Sequence, residues 1–384
     1  MIENKNRGRA SDFARQDSRR RARIRRWILL LCLAVLVFFG IRTLHRMGQR
    51  REVSVVALPC LVDQNVTPFG HSALYYDGTS IHCLNESGGI RWSYAVGMGA
   101  RFACSDTAIV VWSGTQLFVL DANGHPTYNE NMSGEVQFAR IGSRYCAAVV
   151  GDDTQPDLVV KTMDGTPVDE EYEAFSGMIL LDVGFYGEQD QYMWTLAMDV
   201  YGTAINSVLN TFQVGKMNTG IADLGEFLAY KVLFENNQLR VFTTQQLYTY
   251  DYKAVRDMTA SRLVYGWQYI DATVPERGNA SILLAPNSQI TGNLRLTELR
   301  VLSGSEDRRF TLPSDCVGAV LFDSRICAVS DDYLYLSTSD AAQFETFALS
   351  LPDGRQATTL LGITRGGYLL VGSGDQVFSV SVPH

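Results

Sequence analysis

Neighbouring carboxylates are the side chains in this sequence with the clearest potential for chemistry. They occur as Asp152 with Asp153, Asp169 with Glu170 and Glu171, Glu188 with Asp190, and Asp331 with Asp332. Two carboxylates on opposite sides of a bound sugar are the groups that cleave a glycosidic bond. Acidic runs of this kind are also typical of solvated turns, because short acidic side chains stabilise turn conformations. We therefore expect loop charges here and predict no catalytic residue.

Histidine is scarce, and its spacing does not indicate a metal site. The chain has five histidines, His45, His71, His82, His125 and His384. His71 and His82 are eleven residues apart with Asp77 between them, a spacing that one turn or helix cannot present to zinc. The HExxH, GxSxG and GxxxxGK[ST] signatures are absent from the sequence. We predict no metal ion and no cofactor.

The cysteines indicate buried thiols. Cys32 lies in an apolar stretch near the N-terminus, and the long acidic part of the chain contains Cys60, Cys83, Cys104, Cys146, Cys316 and Cys327. An even number outside a reducing compartment permits disulfides. Most of these cysteines lie in apolar, strand-like runs, and no CxxC pair occurs. We expect free thiols that behave as small apolar side chains, with one disulfide as the alternative.

Charge and hydropathy divide the chain into four parts. Residues 1–26 contain ten Lys or Arg and three acidic residues, whereas residues 53–384 contain 19 basic and 37 acidic residues. Residues 27–44 are apolar except for Arg42 and Thr43, and are long enough to cross a bilayer core of ~30 Å. We predict a basic cytoplasmic tail (1–26), a transmembrane anchor in the lipid bilayer (27–44), a juxtamembrane linker (45–52) and an extracytoplasmic domain (53–384).

Two features favour an uncleaved anchor with this orientation. The basic residues that follow the apolar stretch, Arg42, His45 and Arg46, stand where a signal peptide would have small residues around a cleavage site. The tail carries more positive charge than the linker, which places the N-terminus in the cytoplasm. The protein is thus expected in the cell membrane as a single-pass protein. Its acidic body would repel phosphate, so we predict no nucleic acid partner.

The acidic body has the pattern of a β-propeller. Short runs of Val, Ile, Leu, Tyr and Phe, such as residues 116–121 and 333–337, end at Gly, Asp, Asn or Ser, which is typical of antiparallel strands. Units of ~40 to 50 residues are typical of four-stranded blades. The units open near Pro68, Gly99, Val136, Met178, Glu226, Val264, Cys316 and Thr358. We predict an all-β propeller of eight four-stranded antiparallel blades, with seven as the alternative count, preceded by one N-terminal transmembrane helix.

The two ends of the body are predicted to meet in one blade. Residues 358–382 contain three strand-like runs, one fewer than a blade needs. Residues 52–58, with the sequence EVSVVAL, form a strand-like run without a neighbouring partner. Pairing the two segments would complete the last blade and remove the exposed sheet edges of an open array.

Residues 72–97 carry a family resemblance. This segment resembles the repeat of quinoprotein-like (PQQ-like) propellers, in which a turn around a Gly is followed by a Trp that docks on the next blade. Gly88 and Trp92 fill those places, and Asp121 and Gly124 align with the turn of the next unit. The resemblance implies a structural role for these four residues. Quinoprotein dehydrogenases usually hold adjacent cysteines over their cofactor, and this sequence has no such pair.

The whole chain is similar to an uncharacterised clostridial (Gram-positive) family of membrane-anchored propellers, a domain of unknown function. That resemblance implies a fold and a location and no activity. We therefore predict a non-enzymatic binding or scaffold module at the cell envelope, with an envelope protein or a cell-wall polymer as partner. The alternative is a glycan-acting hydrolase or lyase with carboxylates in the propeller channel.

Aromatic side chains are the candidates for a recognition surface, because Tyr and Trp dominate protein interaction sites. The candidates are Tyr186, Tyr192, Trp194 and Tyr201 in the fourth unit, and Trp267 and Tyr269 in the sixth. Core packing is the alternative role for most of them.

Overall fold

A computed structural model describes residues 53–171, 175–275, 278–292, 294–323, 325–338 and 343–383. The predicted tail, anchor and linker, residues 1–52, lie outside the described residues. Within the described ranges, no helix has the length and apolar character needed to cross a membrane. Residues Val53–Val382 form one compact unit.

Strands dominate this unit, and they form eight four-stranded antiparallel sheets within the described residues. Blades 1 to 4 consist of β2 (Thr67–Phe69), β3 (Ser72–Tyr76), β4 (Ser80–Leu84) and β5 (Ile90–Ala95); β6 (Arg101–Cys104), β7 (Ala108–Ser113), β8 (Gln116–Asp121) and β9 (Pro126–Asn131); β10 (Val136–Ile141), β11 (Tyr145–Asp152), β12 (Gln155–Thr162) and β13 (Pro167–Glu171); and β14 (Met178–Tyr186), β15 (Tyr192–Asp199), β16 (Asn206–Gln213) and β17 (Met217–Asp223).

Blades 5 to 8 complete the ring. They consist of β18 (Ala229–Glu235), β19 (Gln238–Thr243), β20 (Gln246–Tyr250) and β21 (Arg262–Leu263); β22 (Trp267–Thr273), β23 (Ser281–Pro286), β24 (Leu296–Ser303) and β25 (Glu306–Cys316); β26 (Gly318–Phe322), β27 (Arg325–Val329), β28 (Tyr333–Thr338) and β29 (Glu345–Ala348); and β30 (Thr359–Ile363), β31 (Tyr368–Ser373) and β32 (Gln376–Ser381) with β1 (Val55–Leu61). A five-residue helix, α1 (Asn287–Thr291), joins β23 to β24, and 3-10 turns lie at Glu188–Asp190 and Pro352–Gly354.

The predicted eight-bladed architecture is confirmed. The first strand of each blade starts within three residues of the opening predicted from the repeat, and the starts at Val136 and Met178 coincide with it. The apolar runs locate the strands well because their middle residues are buried on both faces between neighbouring blades, as in β7 and β8.

The ring closes where the two ends of the body meet. Strand β1 pairs antiparallel with β32, with Val55 opposite Val380 and Ala57 opposite Phe378. Leu58 is buried by this pairing, with only 2% of its surface exposed. The first strand of the body is therefore the outermost strand of blade 8, as the unpartnered run at residues 52–58 predicts.

The first strand of each complete blade lies innermost, and the last lies outermost. Inner strands contact inner strands of the neighbouring blades, as β6 does with β10 and β26 with β30. Outer strands such as β5 and β9 expose alternate residues. The ring thus has a channel lined by inner strands and a rim formed by outer strands.

Because strands alternate in direction, one edge of every blade gathers the loops that enter the inner strand and the loops that join the second and third strands. We call this side of the ring the entry face. Its loops are residues 62–66, 77–79, 96–100, 114–115, 132–135, 153–154, 175–177, 200–205, 224–228, 244–245, 264–266, 287–292 with 294–295, 317, 330–332, 349–358 and 374–375.

Outer strands pack against the turn of the next blade at the junctions of blades 8 and 1, 1 and 2, and 2 and 3. The Trp92 indole lies against Gly124, and its Nε1 donates a hydrogen bond to the Ala122 carbonyl oxygen at 3.1 Å. Tyr128 lies against Gly165 in the same way, one blade further. Gly88 lies against Leu58 of β1, so the same contact spans the closure. The PQQ-like repeat residues are thus placed between blades.

The six cysteines of the described residues are free. Five of them are buried, and Cys104 is half-buried. Burial raises the pKa of Cys60, Cys146, Cys316 and Cys327 to about 12 and that of Cys104 to about 11. The expectation of buried free thiols is met, and these thiols are poor nucleophiles because the thiolate is the reactive form.

We therefore expect the folded protein to be nearly inert toward a disulfide reagent such as Ellman's reagent at pH 8. Denaturation in guanidinium chloride should release the six thiols at once, because exposure restores a pKa of about 8.5. Fast reaction of a folded-state thiol within the propeller would contradict this placement. Cys32 lies outside the described residues. The measurement is therefore made on the Cys32→Ala variant, so that only the six propeller thiols can react.

Candidate interaction face

The predicted recognition aromatics of blade 4 fall into two groups. Tyr186 and Trp194 are buried, with the Tyr186 ring stacked 5.3 Å from that of Tyr192. The Trp194 indole packs against Gly184 of the adjacent strand. Tyr186 and Trp194 belong to the core between blades 4 and 5 and are not available at the surface, and Tyr192 is half-buried against that core. Tyr201 is 60% exposed on the entry face, so the recognition hypothesis for this set depends on Tyr201.

Trp267 and Tyr269 lie half-buried on the inner strand of blade 6. The guanidinium groups of Arg300 and Arg309 lie 5.8 Å and 5.3 Å from the Trp267 ring. Burial raises the pKa of Tyr269, whose ring lies under the Lys231 ammonium group at 5.2 Å. Cation–π contacts of this kind explain why aromatic residues occur at these inner positions.

The neighbouring carboxylates form turns and ion pairs, and the structure does not bring them together. Asp152 Oδ1 accepts a hydrogen bond from the Thr154 amide, and Asp190 accepts from the Arg144 amide at 2.7 Å. Asp331 forms an ion pair with Arg295 at 2.9 Å. Among the described residues, no group of three His, Cys, Asp or Glu could hold a metal ion.

Ser93, His82 and Asp77 form a hydrogen-bonded chain across blade 1. His82 Nε2 lies 2.8 Å from Asp77 Oδ2, and His82 Nδ1 lies 2.7 Å from Ser93 Oγ. A carboxylate only accepts, so Nε2 donates, and in the neutral ring Nδ1 accepts from the Ser93 hydroxyl. Ser93 is exposed on the outer strand, and neither cavity described below includes it. We assign the chain a structural role in joining β4, β5 and the loop at Asp77.

This chain makes stability depend on pH. Hydrogen bonds from His82, Thr79 and Ser80 hold the pKa of Asp77 well below its usual value. A lowered folded-state pKa stabilises the protein above pH ~4, and that stabilisation is lost as the pH falls through the folded-state pKa. Asp77→Asn should lower the free energy of unfolding by about 1 kcal/mol at pH 7, a small value because water screens the partly exposed carboxylate. Denaturant titrations should show that the difference in unfolding free energy between the variant and wild type narrows below pH ~4. A difference that does not depend on pH would contradict the assignment.

Exposed apolar side chains follow one another along the entry face from blade 4 to blade 7. We call them the apolar arc: Tyr201, Ile205, Leu228, Leu263, Tyr265, Leu294 and Tyr333. Tyr265 is the most exposed of them, at 71%. Sequence reasoning identified only Tyr201, because the others are single apolar residues in or beside short loops. What these residues share is a position on the entry face, which can be recognised only once the strands are known.

The same face is acidic. The described entry-face loops contain Asp63, Asp77, Glu135, Asp153, Glu226, Asp331, Asp332, Asp353 and Asp375, whereas their basic residues are Arg295 and Arg355. Both arginines already form ion pairs, Arg295 with Asp331 and Arg355 with Asp375 at 3.8 Å. The entry face therefore has a net negative charge, and in the described loops of the arc's own blades 4 to 7 the carboxylates without an ion pair are Glu226 and Asp332.

Cavities lined by described residues open on the entry face, and two of them are relevant here. The first, of about 430 Å³, lies under α1 between blades 6, 7 and 8 and is lined largely by aliphatic side chains. Asp271 is its carboxylate, and burial raises the pKa of this group although Oδ2 accepts a hydrogen bond from the Leu321 amide at 2.7 Å. The second, of about 410 Å³, lies between blades 2 and 3 and is lined by polar and charged groups.

An eight-bladed ring closed by its own first strand defines the chain as a β-propeller. No protein-family model matches the sequence, and no curated protein matches it. Among solved structures, it is similar to BamB from Moraxella catarrhalis, with 11% identity and a TM-score of 0.50 over 87% of this chain and 98% of that one. The tricorn protease matches with 9% identity and a TM-score of 0.50, over 84% of this chain and 36% of that one.

A third similar structure is apo AztD from Citrobacter koseri, with 12% identity and a TM-score of 0.49 over 74% of this chain and 86% of that one. At these identities the similarities to BamB and the tricorn protease confirm the predicted fold alone. The structure and charge of the entry face carry the functional argument.

Proposed function

We propose that this protein is a membrane-anchored, extracytoplasmic propeller that binds a protein partner through its entry face and acts as a scaffold. The observation that carries the proposal is the apolar arc on an acidic face. Large apolar side chains exposed together on a soluble domain mark interaction sites, and tyrosine is enriched among the residues that dominate binding energy.

The chemistry of this face indicates the kind of partner. The apolar arc favours a partner with apolar side chains at the centre of its contact surface. The surrounding carboxylates favour basic residues at the rim of that surface, where they speed association and select the partner. A polysaccharide of the cell wall would offer little apolar surface to the arc, so we favour an envelope protein over a polymer.

The alternative of glycan hydrolysis has weaker support. Glycan cleavage of the usual kind needs two carboxylates about 5 to 9 Å apart around the scissile bond, one of them a protonated acid held in a site that excludes water. The cavity between blades 2 and 3 has two carboxylates, Glu135 and Asp153, but both are exposed to solvent. The cavity beside the inner strands of blades 6 to 8 has Asp271 as the one carboxylate among its lining residues. Both oxygens of Asp271 already accept backbone hydrogen bonds, from Leu321 and Ala272.

A photo-crosslinking amino acid at Tyr265 tests the binding proposal in intact cells. We expect a discrete crosslinked product that is lost when Tyr201 and Leu263 are both changed to Asp, because charge disrupts the apolar contact. The control is the same probe at Ile90, which is 55% exposed on an outer strand away from the arc. Equal products at Tyr265 and Ile90, or no dependence on Tyr201 and Leu263, would refute a partner at the arc.

Cysteine labelling tests the proposed location. Met98 is 82% exposed in an entry-face loop, and the native cysteines of the propeller are free and largely buried. A Met98→Cys variant should react with a membrane-impermeant maleimide in intact cells, and the unsubstituted chain should not. Labelling of Met98→Cys only after cell lysis would place the propeller in the cytoplasm and contradict the proposal.

A further inference from the structure

The cavity between blades 2 and 3 has the features of a small-molecule site. Its volume is about 410 Å³, within the usual range of ligand pockets. Arg101 begins the inner strand of blade 2, while Glu135 and Asp153 lie on entry-face loops of blade 3. Trp112 lines the cavity from the second strand of blade 2.

Charges of opposite sign line this cavity without pairing. Among the described residues, the side chains of Arg101, Glu135 and Asp153 have neither an ion pair nor a hydrogen bond, so no nitrogen–oxygen pair between them is within 4.0 Å. The arginines of the entry-face loops behave differently, since Arg295 and Arg355 each pair with an aspartate. The cavity therefore holds a cationic and an anionic side separated by open space.

Trp112 adds a hydrogen-bond donor that lacks an acceptor. Its side chain is only 6% exposed, and its buried Nε1 has no hydrogen-bond partner among the described residues. The Trp92 indole, by comparison, donates to the Ala122 carbonyl oxygen. Gln137 also lines the cavity, and its Nε2 donates to the Gly151 carbonyl oxygen at 3.0 Å.

We propose that this cavity binds a small zwitterion, a free amino acid or a short peptide. The carboxylate of the ligand lies on the side of Arg101, which supplies positive charge, and the Trp112 ring lines the cavity beside it. The ammonium group of the ligand lies on the side of Glu135 and Asp153. A simple anion would pair with Arg101 alone, and a simple cation would pair with the carboxylates alone. A ligand with both charges pairs with all three groups.

This site is independent of the protein partner proposed at the apolar arc. The cavity lies between blades 2 and 3, whereas the arc extends over blades 4 to 7. Loss of crosslinking at Tyr265 would therefore leave the cavity proposal standing, and failure of zwitterion binding would leave the partner proposal standing.

The test is calorimetric titration of the full chain in detergent micelles with free alanine and leucine and with the dipeptides Ala-Ala and Ala-Leu. We expect at least one of these probes to bind, and the comparison of single amino acids with dipeptides identifies the source. The N-acetyl and methyl ester forms of the best probe should each bind at least tenfold more weakly, because each removes one charge. Absence of binding by all probes up to about 10 mM would overturn the proposal.

Variants assign the two sides of the cavity. Arg101→Gln should weaken binding of the best probe about tenfold, and the methyl ester should then bind this variant as well as the free carboxylate does. Glu135→Gln should also weaken binding about tenfold, and the N-acetyl form should then bind this variant as well as the free amine does. Arg295→Gln, which removes a paired arginine of the same face, is the matched control and should bind normally. Equal affinity of all variants, with unchanged melting temperatures, would overturn the assignment.

Discussion

Replacing Leu58 with Asp is expected to lower the free energy of unfolding by about 3–5 kcal/mol. Leu58 is 2% exposed and packs among apolar side chains of blades 8 and 1, including Leu84 and Leu370. A carboxylate at this position would be buried without a partner. It would also weaken the pairing of β1 with β32 and so expose the edge of the last blade. The measurement is a guanidinium or thermal unfolding curve of the full chain.

Leu61 provides a matched control on the same strand. Its side chain is 40% exposed, so the same change to Asp places the charge in water. We expect Leu61→Asp to cost less than about 1 kcal/mol. Similar losses for the two variants would mean that β1 is not an integral strand of blade 8. Because a chain of this size can unfold through intermediates, the two variants should be compared by midpoint as well as by extrapolated free energy.

The ring could be predicted from the sequence because its signals are local and repeated. Runs such as residues 108–113 and 116–121 are apolar over their middle residues, since both faces of these strands are covered by neighbouring blades. The closure was predictable for a different reason. The run at residues 52–58 had strand propensity and no local partner, and the last unit lacked one strand.

The candidate site was largely hidden from the sequence. Tyr186, Trp194 and Tyr201 have similar side chains within one unit, yet two are buried and the third is exposed. Exposure depends on which strand end faces a neighbour, and residue type does not encode it. Arg101, Trp112 and Glu135 were not predicted as a group, because their meeting requires two blades to pack side by side. Long-range placement of this kind has no signal in local spacing.

Replacing Gly124 with Ala is the second change with a large expected effect, about 2–4 kcal/mol of lost stability. Gly124 has a φ of 78°, and a Cβ atom there would lie 2.5 Å from ring carbons of Trp92. Two costs add: the backbone conformation disfavours any side chain, and the indole must move from its place on the blade 2 turn. The indole would then lose its hydrogen bond to Ala122.

The two costs can be separated by a control glycine and a second variant. Gly97 has a φ of 85°, and a Cβ atom added there would meet nothing within 4 Å, so Gly97→Ala should show the backbone cost alone, about 1–2 kcal/mol. In a Trp92→Ala background, Gly124→Ala should fall to the same value, which gives a coupling energy of about 1–3 kcal/mol between the two positions. A coupling near zero would mean that Trp92 does not dock on Gly124. A clear coupling would establish the contact between the outer strand of one blade and the turn of the next as a stabilising unit of the ring, the rigid support on which the entry face depends.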